Sequence, residues 1–188
     1  MQYCIKCGSA NIEFLIPKGD NKPRFVCSDC DFVFYQNPKI VAGCIIESKE
    51  KILLCKRAID PQLGKWTLPA GFMENNETIE QAALRESWEE ACAAVEKLSL
   101  FAVYSLPHIS QVYVMFKGQL KGDEAKPGEE TEEIWFCSEA EIPWDHLAFP
   151  VITETLEIYF SDRGNKKFSV HSGAINRDSD GKFIVSRY

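Results

Sequence analysis

The stretch Gly71-Phe72-Met73-Glu74-Asn75-Asn76-Glu77-Thr78-Ile79-Glu80-Gln81-Ala82-Ala83-Leu84-Arg85-Glu86-Ser87-Trp88-Glu89-Glu90-Ala91-Cys92-Ala93 decides how this chain is read. Thr78 followed by Gln81 forms a capping box and predicts a helix over Thr78 to Ala91. On that helix Glu86, Glu89 and Glu90 stand at i, i+3 and i+4, within an arc of about 100°. Like charges at this spacing repel by roughly a few tenths of a kcal/mol per pair. They also crowd the helix C-terminus, where the backbone dipole disfavours anions. Propensity does not account for the placement. Hard divalent cations do, because Mg²⁺ takes carboxylate oxygens and keeps water for chemistry. The competing reading is a solvated acidic face opposite Leu84, Trp88 and Ala91. Against it, Ile79, Ala82 and Ala83 fall on the acidic side. Arg85 and Glu77 are also spaced to reach each other and hold the Gly71 loop against the helix.

Upstream, residues 60–76 are loop-like, with Pro61, Gly64, Pro69, Gly71 and Asn75-Asn76. Before them, Ile40 to Glu47 and Lys51 to Arg57 read as a hairpin joined by Ser48-Lys49-Glu50. Downstream, Leu98 to Leu106 and Gln111 to Leu120 read as strands, Gly122 to Glu133 as an acidic mobile loop, and Ile134 to Cys137 as a short strand. Ser138 and Glu141 make a second capping box. A last helix is expected from Pro150 to Ser161. The polar tail from Asp162 to Tyr188 has no assignable role.

Asn37-Pro38 marks a boundary. Ahead of it, Cys4, Cys7, Cys27 and Cys30 follow the spacing C-x2-C-x19-C-x2-C. Two such knuckles complete a tetrahedral Zn²⁺ shell, and four protein ligands leave no open position, so the zinc is expected to be structural. Gly8 lets the chain turn after the first pair. Buried cysteines or redox thiols are the alternative. Cys44, Cys55 and Cys137 fit no metal spacing and read as small buried hydrophobes. The expected divisions are a zinc ribbon at 1–38, a catalytic domain at 39–162 and a C-terminal extension at 163–188.

The chain has 188 residues, of which 45% are hydrophobic and 26% charged, the balance of a globular protein with a full core. Its net charge of −7 argues against a broad nucleic-acid or anionic-membrane surface. A polyanionic substrate therefore needs local cations. With Cys4 so close to Met1 and no apolar run of spanning length, the expectation is a cytoplasmic protein without a membrane segment.

The quoted stretch resembles the Nudix box, G-x5-E-x7-R-E-U-x-E-E-x-G-U, with U a bulky aliphatic. Gly71, Glu77, Arg85, Glu86, Glu89 and Glu90 match at every offset. Ser87 replaces an aliphatic, Cys92 the glycine that ends the helix in a left-handed conformation, and Ala93 the last aliphatic. A side chain is costly at the glycine position, but no metal carboxylate is lost. The resemblance implies an α/β/α sandwich with a mixed sheet. It implies that Glu86, Glu89, Glu90 and the Ala70 carbonyl bind Mg²⁺ or Mn²⁺, and that Gly71, Glu77 and Arg85 support the site. A second-loop carboxylate often completes such sites. Glu129, Glu130, Glu132 and Glu133 are the candidates, and Glu130 is favoured as base or further ligand.

Beyond the box, Tyr35-Gln36-Asn37-Pro38-Lys39, Leu53 to Arg57 and Trp66 to Gly71 look like the plant chloroplast FAD pyrophosphatases. The likeness continues through Leu147-Ala148-Phe149 to Gly173-Ala174-Ile175-Asn176. It implies cleavage of FAD to FMN and AMP, or of ADP-ribose to AMP and ribose 5-phosphate, in a bacterial cytoplasmic relative. NADH pyrophosphatases, which also join a zinc ribbon to a Nudix domain, are the alternative. Their S-Q-P-W-x-F-P-x-S array survives here only as Ser105 and Pro107 in Ser105 to Gln111. A catalytically silent Nudix ligand sensor or regulator, its ribbon serving as an interaction module, is the alternative of another class. It is disfavoured because every box carboxylate is present. Arg57 is a candidate phosphate ligand, and Trp66 and Phe72 are candidates to stack on a base, with core packing equally open for both rings. The implied partners are a dinucleotide or nucleotide-sugar substrate and, by analogy, a second copy of the chain.

Overall fold

The computed structural model describes residues 1–188 and separates them into two units, Met1–Asn37 and Pro38–Tyr188. In the first, β1 (Ile12–Leu15), β2 (Arg24–Cys27) and β3 (Val33–Phe34) form an antiparallel sheet in that order. The knuckle turns at Cys4–Gly8 and Cys27–Asp31 are each closed by a backbone hydrogen bond of 2.9 Å.

In the second unit, a strict alternation of side chains decides the architecture. Along β4 (Lys39–Ser48), Val41 and Ile45 enter one core and Ala42, Cys44 and Ile46 the other. Along β5 (Lys51–Arg57), Ile52 and Leu54 face the first core and Leu53 and Cys55 the second. Apolar residues on both faces of a strand require cover on both sides. Two short strands follow, β6 (Trp66–Thr67) and β7 (Ala70–Phe72), then α1 (Ile79–Ala91), β8 (Val95–Leu106), β9 (Gln111–Leu120), β10 (Thr131–Cys137), α2 (Pro150–Gly164), β11 (His171–Arg177) and β12 (Phe183–Arg187). The sheet runs β10-β5-β4-β9-β8-β11-β12, with β6 on β5 and β7 on β4. It is mixed: β4 is parallel to β9 and β8 to β11, and the other pairs are antiparallel. Helix α2 covers one face through Val151, Ile152 and Leu156, and α1 covers the other through Ala82, Ala83 and Ala91. This is the expected α/β/α sandwich. No helix is long and apolar enough to cross a membrane.

Two expectations are corrected, and the competing reading of α1 loses its apolar stripe. Residues 163–188 are not an appendage, because β11 and β12 extend the central sheet. The Gly122–Glu133 segment is anchored: the Lys126 and Gly128 amides donate to the Ala91 and Glu90 carbonyls at the end of α1 (both 2.9 Å). Leu84 and Trp88 are not the buried stripe of α1. Trp88 is 58% exposed, and the helix instead buries small residues and two of its acids, Glu86 and Glu90. Ala82, Ala83, Ser87 and Ala91 let the helix lie close to the sheet. Ser87, in an aliphatic position, is fully buried and donates its hydroxyl to the Ala83 carbonyl at 2.7 Å.

Both capping boxes form as read, Thr78 with Gln81 and Ser138 with Glu141. Cys92 ends α1 in the left-handed conformation (φ 46°, ψ 30°), and its amide donates to the Trp88 carbonyl at 2.8 Å. The chain thus keeps the turn and bears the Cβ cost. Cys92→Gly is expected to raise stability by roughly 0.5–1 kcal/mol, since glycine's greater unfolded-state freedom offsets part of the relief. Chemical denaturation of the two proteins checks this, and equal or lower stability would contradict it.

Candidate active site

Strand β7 and helix α1 meet where the carboxylates gather. A Cβ at Gly71 would overlap the Glu86 carboxylate, so a side chain there would push this acid out of its position. At the other end of α1, a Cβ on Gly128 would overlap the Glu89 carbonyl, so glycine also lets the second loop dock on the helix end. That docking brings Glu129 and Glu130 to the acids, and Glu130 is held further by its carbonyl, which accepts from the Ala58 amide at 2.8 Å.

Arg85 is the hub of the entry loop. Its Nη2 donates to Glu77 Oε1 at 2.8 Å and to the Phe72 carbonyl at 3.0 Å, and its Nε to Glu77 Oε2 at 3.1 Å. Its Nη1 bonds Glu86 Oε1 at 2.7 Å and Glu89 Oε2 at 2.8 Å. Glu77 also accepts from the Glu74 amide at 2.6 Å. The Arg85 hydrogen bond, then the Glu74 amide, hold the Glu77 carboxyl below its ordinary value. Loop and helix are therefore clamped at the spacing read from the sequence.

The three box acids differ in environment. Glu90 is 7% exposed. Desolvation, with Glu86 and Glu130 adding like charge, pushes its carboxyl up to about 8, against the pull of Arg57 and the Ala70 amide. Glu86 is also raised, first by burial and then by Glu89 and Glu130, despite Arg85. Glu89 projects outward and is half exposed. Two neighbouring buried carboxyls suit a divalent cation, and carboxylate oxygens are the donors that Mg²⁺ and Mn²⁺ prefer. Arg85 takes Glu89 Oε2, so Glu89 can join them through Oε1 or by releasing Oε2.

These acids lie on one wall of a cleft of about 1590 Å³ that Ala70, Gly71, Phe72, Arg57, Glu129 and Glu130 also line. Arg57 donates Nε to the Pro61 carbonyl at 2.8 Å, and its guanidinium lies 5.2 Å from the Phe149 ring centroid. Phe72 is exposed to the cleft, with the Lys39 ammonium 4.7 Å from its centroid. Trp66 is elsewhere: it packs on Trp135 (centroids 5.6 Å apart) and on the α2-side core, so the packing alternative holds and base stacking does not. Of the loop acids, Glu132 turns away to Lys56 at 2.9 Å, and Glu130 is the one that raises both Glu86 and Glu90. His108 also lines the cleft. Sequence reasoning missed Tyr113, Phe149, Glu154 and Trp88, which line it too. Of these, only Trp88 gave a signal, as a large aromatic on an acidic helix.

In the first unit, Cys4, Cys7, Cys27 and Cys30 place their sulfurs within 4.8 Å of one another, with Cys4–Cys30 at 3.7 Å and Cys7–Cys27 at 3.6 Å. A tetrahedron of thiolates about 2.3 Å from zinc has edges of about 3.8 Å, so the four fit the ion.

Residues 37–154 match the NUDIX domain, and residues 2–36 match the zinc-ribbon family described as Nudix N-terminal. An ADP-ribose pyrophosphatase of Methanocaldococcus jannaschii is 36% identical over 121 residues, covering 61% of this chain and 69% of that protein. An NAD-capped RNA hydrolase NudC of Photobacterium profundum is 28% identical over 144 residues, 75% of this chain and 51% of that one. The chain thus spans about half the length of that relative. A crystal structure of a NUDIX hydrolase from Nitrosomonas europaea superposes with a TM-score of 0.90 at 50% identity, covering 94% of this chain and all of that one.

Proposed function

The chain belongs to the NUDIX family, and from that premise we propose that it is a divalent-metal-dependent pyrophosphohydrolase acting on nucleoside diphosphate derivatives, with ADP-ribose and FAD as its substrates. The observation that carries this reading is the pair of buried carboxyls, Glu90 and Glu86, with Glu130 beside them in the lining of a wide cleft. Such a pair is costly in a wall with no other purpose.

Glu86, Glu89, Glu90 and the Ala70 carbonyl would hold Mg²⁺ or Mn²⁺. Bound there, these ions supply charge neutralisation of the diphosphate and a more acidic water. Arg57 would pair with a phosphate oxygen. Glu130, whose carbonyl accepts from the Ala58 amide, would accept a proton from water. Glu77, Arg85 and Gly71 keep the acids in place. Phe72 offers a ring to a planar group. The ribbon zinc, with four sulfur ligands, takes no part in the reaction.

ADP-ribose is supported by the name and identity of the Methanocaldococcus relative. FAD rests on the sequence likeness outside the box. NAD(H), including NAD at an RNA 5′ end, is the second reading, supported by relatives named NAD-capped RNA hydrolase at 28–30% identity. The full-length protein should be incubated with ADP-ribose, FAD, NADH and NAD-capped RNA in Mg²⁺ and in Mn²⁺, with products identified by mass. AMP release from ADP-ribose or FAD, faster than from NADH, is expected. NADH or capped RNA as the best substrate would replace the substrate assignment, metal-independent turnover would remove the metal dependence, and absent turnover of all four would remove the hydrolase reading.

A further inference from the structure

Strands β11 and β12 lie beyond residues 37–154, the NUDIX match, yet they wall one end of the cleft through Ile175, Arg177, Phe183 and Val185. The hairpin is fastened from beneath. Arg187 donates to Glu154 through Nε at 2.7 Å and Nη2 at 3.0 Å, and the Tyr104 hydroxyl donates to the same carboxylate at 2.9 Å. Glu154 is only 4% exposed, so this is an anchored ion pair and the strand carrying Phe183 is held to the sheet.

At the cleft, Phe183 faces its cross-strand neighbour Arg177, whose guanidinium lies 4.8 Å from the ring centroid. The His108 ring is 5.7 Å from Phe183. His108 Nδ1 lies 3.2 Å from the Ile175 carbonyl. A carbonyl only accepts, so that contact places a proton on Nδ1 and leaves Nε2 of the neutral ring as an acceptor. An exposed aromatic face, a planar cation and an acceptor nitrogen, set in an apolar wall, match a flat heteroaromatic ring bearing N–H donors. Such a ring can stack on Phe183 while an N–H donor turns to His108.

We propose that this C-terminal hairpin is the nucleobase subsite: Phe183 stacks on the adenine of the substrate, Arg177 steadies the ring, and His108 accepts from the exocyclic amine. The proposal rests on the reading of the chain as a hydrolase of nucleoside diphosphate derivatives, and it adds the residues that choose the base. It assigns this role to a segment that the family match does not reach.

The test uses the full-length protein, Phe183→Ala and Phe183→Tyr. Calorimetry with Mg²⁺ present measures binding of AMP and of ribose 5-phosphate, and steady-state assays give kcat and KM for ADP-ribose. Loss of one base stack should weaken AMP binding and raise KM about tenfold in Phe183→Ala. Its kcat should stay within about twofold and ribose 5-phosphate binding should not change, because the reacting end is untouched. Phe183→Tyr keeps the ring and should restore both AMP affinity and KM. AMP affinity unmoved in Phe183→Ala, a parallel loss for ribose 5-phosphate, failure of Phe183→Tyr to restore binding, or no AMP binding by the native protein would each overturn the subsite. AMP binding that depends on Phe183 in a protein that hydrolyses no diphosphate would leave the subsite standing and remove only the hydrolase reading.

Discussion

Glu90→Gln is expected to lower AMP release from ADP-ribose by about a thousandfold while leaving a better folded protein. The catalytic loss follows from the donor set: an amide replaces a charged oxygen at the most buried of the box acids, and positioned charge in a dry site accounts for several kcal/mol of barrier. The gain in stability follows from the same burial. In the metal-free protein the Glu90 carboxyl titrates near 8, against an ordinary 4.5, because desolvation and Glu86 disfavour its charged form. The folded state therefore binds a proton more tightly than the unfolded state does. The sign is that of a raised pKa: stability is fully present below about 4.5 and is lost as pH rises through 8, by an amount on the order of a few kcal/mol. Protein dialysed free of Mg²⁺ and Mn²⁺ should melt at a higher temperature at pH 6 than at pH 8.5. Added Mn²⁺ should narrow that gap, and Glu90→Gln should remove most of it. Thermal unfolding across this pH range, with and without Mn²⁺, checks both halves. A variant that keeps more than a tenth of native turnover would show that Glu90 is not at the reacting centre.

The box helix was legible because its signals are local. Thr78 and Gln81 lie three residues apart, Arg85 reaches Glu77 within two turns, and the left-handed exit stands at Cys92 even without its glycine. The ribbon was legible for the same reason. What lay hidden depends on partners distant in sequence. Strand β11 pairs in parallel with β8, some seventy residues away, and β12 is exposed along its whole length, so it shows no alternation. Phe183-Ile184-Val185 is a strand-favouring run, but nothing local says that it joins the edge of the central sheet. The Gly122–Glu133 segment reads as mobile because it is polar and acidic, yet it is tied by backbone amides, which every sequence carries.

Site residues follow the same division. The sequence offered four loop acids, with Glu130 favoured among them. A register shift between Thr131 and Glu133 and the Lys56 ion pair send Glu132 outward, while the docking of Gly128 leaves Glu130 beside the carboxylates. Trp66 stayed open in the sequence because a tryptophan near a phosphate-binding motif suits both stacking and packing. Only the position of Trp135, fixed by the β5–β10 pairing, decides for packing.

Removing zinc is expected to unfold residues 1–37 outright. In that unit the only buried side chains are those of Cys4, at 3% exposure, and Cys27, at 1%. Tyr3, Ile5, Phe14, Ile16 and Tyr35 are all more than half exposed. A segment with no apolar interior cannot offset the entropy of ordering its backbone, about 1–2 kcal/mol per residue. Three short strands add hydrogen bonds that water also supplies, and these yield little net stability. The remaining source is the metal, whose binding to four thiolates is worth about 10–16 kcal/mol and is expressed directly as folding free energy. The protein as isolated should carry one zinc per chain by elemental analysis. A strong zinc chelator, or Cys27→Ser, should collapse the amide resonances of residues 1–37 into the narrow dispersion of an unfolded chain. Cys92→Ser, outside the cluster, should leave those resonances where they are. Resonances of 1–37 that stay dispersed after zinc is removed would show that hydrogen bonding and the Phe14–Phe25 contact, with centroids 4.9 Å apart, suffice to hold the sheet. The four cysteines would then have to be explained by some property other than stability.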